Sequence, residues 1–390
     1  MAGNISIPKA FGTKKTIGII GGGQLGRMMT QKAKKLGFDV IILDPTPYSP
    51  AGQIADKQIV GDFYDETKLK NLVQECDVTT YDIEHINTEA LKTFYDNSYK
   101  IYPSPYLLEI IQDKLKQKQL FYDNGIPQAQ FKKIHSLDSS EFGTFDFPVV
   151  QKTQKGGYDG RGVVVLKNID DIGNAIKVES FIEEYIPFEK ELAVMVARNT
   201  RGEIQCYPVV EMEFDSRANI CDLVIAPARV SEKIQKSAKT VAVNCVEVLE
   251  GVGIFGIEMF LTKEGKILVN EVAPRPHNSG HYTIEACVTC QFEQHIRAIT
   301  GLPLGSTLQL IPAVMVNILG EEGYEGKPVI EGIEEALKIP GLSFHYYGKK
   351  ITKPFRKMGH VTILDNDVEN AIAKANNVKN ILKVKSEKIL

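Results

Sequence analysis

Short apolar runs alternate with amphipathic stretches along the first part of the chain. The run at residues 16–20 is followed by a glycine cluster and by a helical pattern that ends at Gly37. Strands that alternate with helices are typical of a parallel sheet with right-handed crossovers. The pattern therefore predicts a parallel α/β domain over residues 1–112. Its predicted strands lie at 16–20, 40–43, 58–60 and 78–81, and its predicted helices at 27–36 and 66–75.

The hydrophobic pattern changes after a polar helical stretch that is closed by the break at residues 125–127. Downstream, short apolar strands are separated by glycine-rich turns, which is typical of an α+β region with antiparallel strands. We predict a central domain over 113–310, with a small lid subdomain at about 125–190, and a small β-rich C-terminal domain over 311–390. The predicted strands lie at 147–152, 162–167, 191–198 and 203–211, and the predicted helices at 113–124, 231–249 and 284–300.

The composition and charge argue against several classes of function. The chain has 390 residues and a net charge of −3, and its lysines and arginines are interspersed with acidic residues, so no nucleic-acid-binding surface is indicated. No apolar run approaches the roughly 18 residues of a membrane span, and the N-terminus lacks the apolar stretch of a signal peptide.

The six cysteines lack the spacing of a disulfide framework. We interpret Cys287 and Cys290 as small buried residues on a helix face rather than as half of a metal site, because no second pair completes them. A reduced, cytoplasmic protein is expected.

The first glycine loop, Gly21 to Gly26, fits the pattern G-x-G-x-x-G between a strand and a helix. Asp44 ends the next strand, where a ribose-binding acid would lie in a dinucleotide-binding domain. A nicotinamide- or flavin-dependent oxidoreductase is therefore a serious alternative. The loop could also be a tight turn that serves only packing, or a helix N-terminus that binds a different phosphate.

Two strand-like runs, at 255–261 and 266–272, predict a hairpin that carries two carboxylates. If Glu264 and Gly265 form a two-residue turn, Lys263 pairs with Lys266, and Glu258 then lies directly opposite Glu271. Like charges in register repel, and their desolvation adds a further cost. A divalent cation removes both penalties, and carboxylates suit Mg²⁺. The alternative is a register slip that turns one glutamate to solvent.

The segment that follows the hairpin is rich in side chains for anion binding. Arg275 shares a face with Glu271 by the two-residue period of a strand, so it is placed to meet an anion beside the metal. Prolines and a glycine favour a loop that lines a site. His277 and His281 could instead bind zinc, but Pro276 and the non-helical context disfavour that interpretation.

A second glycine loop follows a strand that carries Lys152. Four glycines lie between residues 156 and 162, and their backbone N–H groups can approach phosphate oxygens closely. Such a loop can close over ATP and exclude water, with Lys152 as a point charge beside it. A plain glycine hairpin is the alternative. Downstream, Glu183, Glu184 and Glu191 are acids that could bind an adenine amino group and ribose hydroxyls.

Together these features resemble the ATP-grasp superfamily. Within it, four segments of the chain resemble the family of N5-carboxyaminoimidazole ribonucleotide synthases, and the resemblance covers the chain from Thr16. It implies an ATP-grasp fold with an N-terminal Rossmann-like parallel domain, central ATP-grasp domains and a small C-terminal β-rich domain. The four segments are 21–28, 80–85, 157–161 and 270–281.

The resemblance implies the conversion of ATP, bicarbonate and 5-aminoimidazole ribonucleotide into ADP, phosphate and N5-carboxyaminoimidazole ribonucleotide. Carboxyphosphate would be the intermediate, and the reaction belongs to de novo purine biosynthesis. The family further implies ATP and Mg²⁺ as cofactors, small-molecule substrates, no nucleic-acid or membrane partner, and a homodimer.

The resemblance also assigns roles to residues by their position in the motifs. Asp159 is a candidate proton acceptor, and Ala273 stands where many superfamily members have Asn, which leaves the ligands of a second Mg²⁺ open. ATP would be bound by Lys114, Lys152, Gly157, Gly160, Gly162, Glu183, Glu184, Ile186, Glu191 and Asn270, and Mg²⁺ by Glu258 and Glu271. Bicarbonate and the intermediates would be held by Tyr158, Asp159, Arg161, Arg275, His277 and Asn278, and the ribonucleotide by Gly23, Gln24, Leu25, Glu84, Lys349, Arg356 and Lys357.

Three alternatives remain at this stage. Another ATP-grasp ligase or formyltransferase would share the nucleotide site and use a different acceptor. A Rossmann oxidoreductase that binds NAD(P) or FAD would leave Lys152, the second glycine loop and the glutamate pair without roles. A nucleotide sensor without catalysis would leave the segment 275–281 without a role.

Overall fold

A computed structural model describes residues 15–157, 162–215 and 220–387. The first part is a four-stranded parallel sheet in the order β3-β2-β1-β4. The predicted parallel α/β fold is confirmed, and helix α1 begins three residues before its predicted start. The strands are β1 (Thr16–Ile20), β2 (Asp39–Asp44), β3 (Lys57–Val60) and β4 (Val78–Tyr81), and the helices are α1 (Gln24–Lys35), α2 (Glu66–Glu75), α3 (Thr88–Asp96) and α4 (Pro105–Gln112).

A small antiparallel sheet in the order β5-β8-β6-β7 follows helix α5. The second glycine loop joins β6 to β7, and its residues 158–161 lie outside the described residues. Asp113 caps α5 through its carboxylate, which accepts from Lys116 N over 3.1 Å. The elements are α5 (Lys114–Asp123), β5 (Phe131–Lys133), α6 (Ser139–Phe142), β6 (Val149–Thr153), β7 (Val163–Leu166) and β8 (Ser180–Glu184).

A larger sheet of nine strands forms most of the rest of the structure, in the order β14-β13-β9-β11-β12-β15-β18-β17, with β10 beside β9, and β16 and β19 form a separate antiparallel pair. Strands of the C-terminal segment extend this sheet, because β15 pairs with β12. The strands are β9 (Phe188–Arg198), β10 (Ile204–Cys206), β11 (Val210–Asp215), β12 (Ile220–Ala226), β13 (Gly253–Thr262), β14 (Ile267–Ala273), β15 (Ala313–Leu319), β16 (Pro328–Glu331), β17 (Leu342–Tyr346), β18 (Lys357–Leu364) and β19 (Lys383–Ser386). The helices are α7 (Glu232–Val248), α8 (Thr283–Ala286), α9 (Gln291–Thr300), α10 (Ile333–Ala336) and α11 (Val368–Ile381).

Helix α7 covers one face of the large sheet. Its buried side chains, among them Ala242 and Cys245, pack against Ile257 and Met259 of β13 and Val269 of β14. Burial of this apolar surface fixes which face of the hairpin is closed. The opposite face of β13 and β14 carries Glu258, Asn270 and Glu271 together with apolar side chains such as Phe260.

Two predicted elements are broken in the structure. The predicted strand 203–211 is divided into β10 and β11 at residues 207–209, where Pro208 has no N–H to donate and Tyr207 is buried. The predicted helix 284–300 is divided into α8 and α9, because Val288 N and Thr289 N donate to the carbonyl groups of Leu308 and Ser306.

The break in the helix corrects the interpretation of the two cysteines. Cys287 pairs with Gln309 in an isolated β-bridge, and Cys290 is the N-cap residue of α9. Neither lies on a continuous helix face as predicted, although both are buried. Burial raises the pKa of the Cys287 thiol to about 12, which disfavours the reactive thiolate.

The first glycine loop wraps around a carboxylate of the protein itself. Asp82 follows β4, and its Oδ2 atom accepts from Gly23 N over 3.0 Å and from Gly26 N over 2.9 Å. These are N–H groups at the N-terminus of α1, which has no cap from its own N-cap side chain. Gly21 has a φ of +101°, and a Cβ there would lie 1.6 Å from Asp82 Oδ1. The loop therefore needs glycine both for its backbone angle and for the approach of Asp82.

We predict that Gly21→Ala destabilises the chain more than Gly37→Ala does. Gly37 also has a positive φ, of +86°, but a Cβ there would meet nothing within 4 Å. Gly37→Ala should cost about 1–2 kcal/mol for the left-handed backbone alone. Gly21→Ala should cost about 3 kcal/mol or more, because the clash displaces the cap of α1. Thermal or denaturant unfolding checks this, and equal losses in the two variants would contradict the described contact.

Candidate active site

The turn of the β13–β14 hairpin differs from the predicted two-residue turn. Thr262 N donates to Lys266 O over 2.9 Å, which closes a loop of three residues. Gly265 has a φ of +78°, which is the glycine position of such a loop. The predicted pairing of Lys263 with Lys266 is therefore wrong.

A β-bulge nevertheless brings the two carboxylates opposite each other. A regular ladder from this turn would place Glu271 opposite Ile257, in the buried core. The register shifts by one residue between Met259 and Glu258, so that Glu258 lies opposite Glu271 as predicted. Asn270 is the extra residue of the bulge, and its side chain lies on the same face as Glu271. The bulge thus presents three polar side chains to one cavity.

The two carboxylates have opposite electrostatic surroundings. Burial, together with the negative charge of Glu271, raises the pKa of Glu258 to about 8. The side chain of Glu271 is about half exposed within the cavity; partial desolvation by the surrounding protein disfavours its charge, but Lys114 and then Lys152 outweigh this effect and lower the pKa of Glu271. Lys114 Nζ lies 3.2 Å from Glu271 Oε1, and His277 Nε2 lies 3.4 Å from Glu258 Oε1. At neutral pH the pair therefore carries mainly one charge, and that charge lies on Glu271.

A second carboxylate, Glu183 of β8, joins two lysines. Lys152 Nζ lies 2.8 Å from Glu183 Oε2, and Lys118 Nζ lies 2.8 Å from Glu183 Oε1. Burial opposes ionisation of Glu183, but Lys152 and Lys118 outweigh it and lower its pKa to about 2. Lys152 also donates to Asn270 Oδ1 over 3.1 Å, which connects this trio to the bulge.

These groups line one cavity of about 910 Å³, between the small sheet, the large sheet and the N-terminal domain. One part of it is apolar, with Phe188 stacked on Phe260 at 4.7 Å between ring centroids and with Ile186 nearby. Glu191 lies beside this part, and burial raises its pKa to about 7 against the opposing charge of Lys152. An apolar slot next to lysines is suited to a nucleotide base followed by its phosphates.

The opposite end of the cavity is built around Arg275. Its Nε atom lies 2.8 Å from Glu84 Oε1, and Glu84 raises its pKa against the effect of burial. Asp82 lies close by, and burial raises the pKa of this carboxyl group to about 6. The first glycine loop borders this end through Gln24 and its neighbours.

A smaller cavity of about 190 Å³ adjoins the first glycine loop. Lys349, Lys350 and Arg356 line it together with Gly23 and Asp44, which also line the large cavity. Lys349 Nζ donates to Lys357 O over 2.7 Å. Three cations around a pocket of this size are suited to a phosphate group.

The structure gathers most of the predicted site residues in these two cavities. Gly162 lines neither cavity; it has a φ of +76° and closes the glycine loop next to Thr153. Tyr158, Asp159, Gly160 and Arg161 lie outside the described residues. Lys349 and Arg356 line the smaller cavity. The large cavity is lined by Gly23, Gln24, Leu25, Glu84, Lys114, Lys152, Gly157, Glu183, Glu184, Ile186, Glu191, Glu258, Asn270, Glu271, Arg275, His277, Asn278 and Lys357.

Sequence reasoning missed several residues of the site, among them Phe188 and Phe260 of the apolar slot and the three charged residues Lys118, Asp82 and Lys350. Lys118 lies four residues after Lys114 on α5, and this helical spacing could have indicated that both lysines face the same site. Asp82 could have been noticed as a carboxylate at the end of a parallel strand. Lys350 follows Lys349 directly, and nothing in the sequence distinguishes it from an exposed lysine.

The residues present fit a divalent cation bound together with phosphate oxygens. Among residues 15–157, 162–215 and 220–387, no group of three or more His, Cys, Asp or Glu side chains could hold a metal ion. Glu258 and Glu271 supply carboxylate oxygens and Asn270 an amide oxygen, and a cation would offset the burial and the like-charge repulsion that raise the pKa of Glu258.

The geometry argues against the oxidoreductase alternative. A dinucleotide would place its pyrophosphate at the N-terminus of α1. The N–H groups of Gly23 and Gly26 there already donate to Asp82, and Gly22 N donates to Asp44 over 2.7 Å. The carboxylate of Asp82 thus occupies the position that the phosphate would take. Asp44, the expected ribose-binding acid, instead accepts a hydrogen bond from the backbone of the glycine loop.

No helix in the described part of the chain combines the length and the apolar character that a membrane span requires.

Three family models match successive parts of the chain. A ribonucleotide synthetase preATP-grasp domain matches residues 14–112, and an ATP-grasp domain matches residues 119–292. A phosphoribosylaminoimidazole carboxylase C-terminal domain matches residues 313–374.

Similar proteins and structures cover almost the whole chain. The N5-carboxyaminoimidazole ribonucleotide synthase of Bacillus subtilis is 40% identical over 93% of this chain and 94% of its own length. The crystal structure of the Thermotoga maritima synthetase is 64% identical and covers 96% of this chain and 100% of its own, with a TM-score of 0.90. The Aspergillus clavatus enzyme in complex with ADP and 5-aminoimidazole ribonucleotide is 35% identical, covers 94% of this chain and 98% of its own, and has a TM-score of 0.87.

Some relatives are longer than this chain. It spans 67% of the phosphoribosylaminoimidazole carboxylase of Ogataea methanolica, at 43% identity, and 65% of the one from Vigna aconitifolia, at 41%. The match covers 91% of this chain in both cases.

We predict that Glu258→Gln stabilises the metal-free chain at high pH. The pKa of Glu258 is about 8 in the folded chain against an ordinary value of 4.5, so the folded state keeps a proton that the unfolded state releases between these values. The stability that this proton confers is complete below the lower pKa and is lost as the pH rises through the upper one. In EDTA, the melting temperature of Glu258→Gln should exceed that of the parent at about pH 8.5 and match it at about pH 5.

Glu264→Gln, at the exposed tip of the same hairpin, is the control and should show no such trend. A difference between Glu258→Gln and the parent that stays constant with pH would contradict the raised pKa.

Proposed function

The chain belongs to the family of N5-carboxyaminoimidazole ribonucleotide synthases, and from this premise we propose how its residues carry out the ATP-dependent carboxylation of 5-aminoimidazole ribonucleotide in purine biosynthesis. The enzyme is an ATP-dependent ligase of the ATP-grasp fold. The observation that carries the proposal is the convergence of Lys114, Lys152, Arg275 and the Glu258–Glu271 pair in one cavity, next to a smaller pocket with three cations.

The adenine ring of ATP occupies the apolar slot beside Phe188 and Phe260, with Glu184 and Ile186 along its edge and Glu191 near the ribose. Lys114 and Lys152 bind the phosphate oxygens, and Gly157 belongs to the loop that covers them. Both lysines are paired with carboxylates, Lys114 with Glu271 and Lys152 with Glu183, and these contacts hold the two ammonium groups where the phosphates would bind.

Glu258, Glu271 and Asn270 would hold Mg²⁺ together with phosphate oxygens. When bound, Mg²⁺ supplies positive charge that offsets the charge on the transferring phosphoryl group. Deprotonation of Glu258 accompanies its binding, because a protonated carboxyl group is a poor ligand.

Bicarbonate lies against Arg275, His277 and Asn278. Its oxygen attacks the γ-phosphorus of ATP, an O–P bond forms, and the bond to the β-phosphate oxygen breaks to release ADP. The product is carboxyphosphate, and it releases CO₂ and phosphate beside the amine of the ribonucleotide. The amine nitrogen bonds to the CO₂ carbon and loses one proton, for which Asp159 is the proposed acceptor.

Glu84 holds Arg275 in place over 2.8 Å, so the charge of Arg275 is oriented before bicarbonate binds.

The ribonucleotide bridges the two cavities. Its aminoimidazole ring lies near Gly23, Gln24 and Leu25, at the end where Glu84 and Arg275 meet. Its phosphate occupies the smaller cavity, where Lys349 and Arg356 supply positive charge, and Lys357 borders the larger one. A cytoplasmic location and a homodimeric assembly are further parts of the proposal, and the sequence resemblance alone supports them.

The deciding experiment measures release of ADP with each substrate omitted in turn. We expect rapid ADP release only when bicarbonate and 5-aminoimidazole ribonucleotide are both present, with stoichiometric formation of the carboxylated product. Release that is stimulated by a different acceptor would point to another ATP-grasp ligase or formyltransferase. Tight binding of NADH and no response to the complete mixture would favour an oxidoreductase.

We predict that Lys349→Met raises the KM for the ribonucleotide about 10- to 100-fold and leaves the KM for ATP unchanged, because a charge-assisted contact to phosphate is lost. Lys353→Met is the matched control, since Lys353 is an exposed lysine four residues away that lines neither cavity. Steady-state kinetics with each substrate varied separately checks this. A change confined to the KM for ATP would overturn the assignment of the smaller cavity.

A further inference from the structure

Two lysines of helix α5 line the large cavity on the side where ATP is proposed to bind. Lys114 and Lys118 are four residues apart and therefore lie on one face of the helix. Lys114 contacts Glu271, whereas Lys118 contacts Glu183, whose other oxygen contacts Lys152. Lys118 is 3% exposed and Glu183 is 4% exposed. A lysine is almost never buried to this extent without a reason.

The position of Glu183 presents an electrostatic difficulty for the nucleotide site. Lys152 is the lysine at the base of the glycine loop, and a carboxylate 2.8 Å away cancels its charge towards an approaching phosphate. Burial lowers the pKa of Lys118, and the charge of Glu183 acts against this shift; with Lys118 protonated on the other oxygen, the trio of two ammonium groups and one carboxylate carries a net charge of +1. Without Lys118 the remaining pair would be neutral.

The contact between Lys118 and Glu183 is a short ion pair that is closed to solvent. The two atoms are 2.8 Å apart, and neither Lys118 Nζ nor Glu183 Oε1 is exposed to solvent. A charge in a dry environment acts strongly on its neighbours because solvent does not screen it. Lys118 is therefore suited to neutralise Glu183.

We propose that Lys118 is a positioning residue for ATP, which neutralises Glu183 so that Lys152 keeps a net positive charge for the phosphates. Glu183 in turn holds the Lys152 side chain in place, together with Asn270. This inference rests on the proposed nucleotide site and adds to it a residue that need not touch the substrate. It also assigns the Glu183 side chain to the lysines rather than to the adenosine.

The test compares Lys118→Met, which keeps the length of the side chain and removes its charge, with Lys116→Met. Lys116 lies on the same helix, is exposed and pairs with Glu109 over 2.8 Å, so it controls for a general effect on α5. We expect Lys118→Met to raise the KM for ATP and the Kd for ADP about 10- to 100-fold, with the KM for the ribonucleotide and kcat at saturating ATP changed less than threefold. Lys116→Met should match the parent.

A second substitution separates the charge from a merely structural role. In the double variant Lys118→Met, Glu183→Gln, the carboxylate that needed neutralising is gone, so ATP and ADP affinity should recover to within about threefold of the parent. Circular dichroism and the melting temperature establish folding for each variant. A buried lysine that only supports packing would give no recovery.

The outcomes distinguish this inference from the proposed function. If the parent protein binds ADP and a folded Lys118→Met variant binds it equally well, the role of Lys118 is refuted and the proposed function stands. Failure of the double variant to recover refutes the neutralisation of Glu183. If the parent itself binds neither ATP nor ADP, the nucleotide site and the proposed function fail.

Discussion

The pairing of Glu258 with Glu271 across one hairpin is the constraint on which the site depends. Two carboxylates opposite each other are unfavourable in any sheet, and one of them is held away from solvent. The chain tolerates them because Lys114 faces one and His277 the other, and because the pKa of Glu258 rises to about 8. A cation bound together with phosphate oxygens would offset the same repulsion between the two carboxylates.

The same balance recurs throughout the cavity. Lys152 is paired with Glu183 and Arg275 with Glu84, at 2.8 Å in both cases. Unpaired cations at these positions would repel one another, and the carboxylates hold them in place. The carboxylates also orient the cations before the substrates bind, so less reorganisation is needed during the reaction. The same ion pairs thus stabilise the site and position its cations for anionic substrates.

Much of this arrangement could be predicted from the sequence, because strand periodicity and cross-strand counting are local. The predicted pairing of Glu258 with Glu271 is correct, although the turn from which it was counted is not. The turn has one residue more than predicted, and the bulge at Asn270 compensates for it. Neither feature has a local signal that counting can detect. The break between α8 and α9 also escaped prediction, since it depends on pairing with residues 306–310, which are distant in the sequence. Lys118 was missed because its partner, Glu183, lies on β8 of the small sheet, which is distant from helix α5 in the sequence.

The continuity of the large sheet has a consequence for which acceptors the enzyme can use. The Glu258–Glu271 hairpin and β18, which begins at Lys357, belong to the same hydrogen-bonded sheet, and the C-terminal strands join it without a hinge. The segment 347–356, which carries Lys349 and Arg356 of the smaller cavity, joins two strands of this sheet, so backbone hydrogen bonds anchor both of its ends relative to the carboxylate pair. An acceptor therefore fits only if the distance between its nucleophilic nitrogen and its phosphate matches the distance between the carboxylate pair and the smaller cavity. Length would then contribute to selectivity independently of any contact with the aminoimidazole ring.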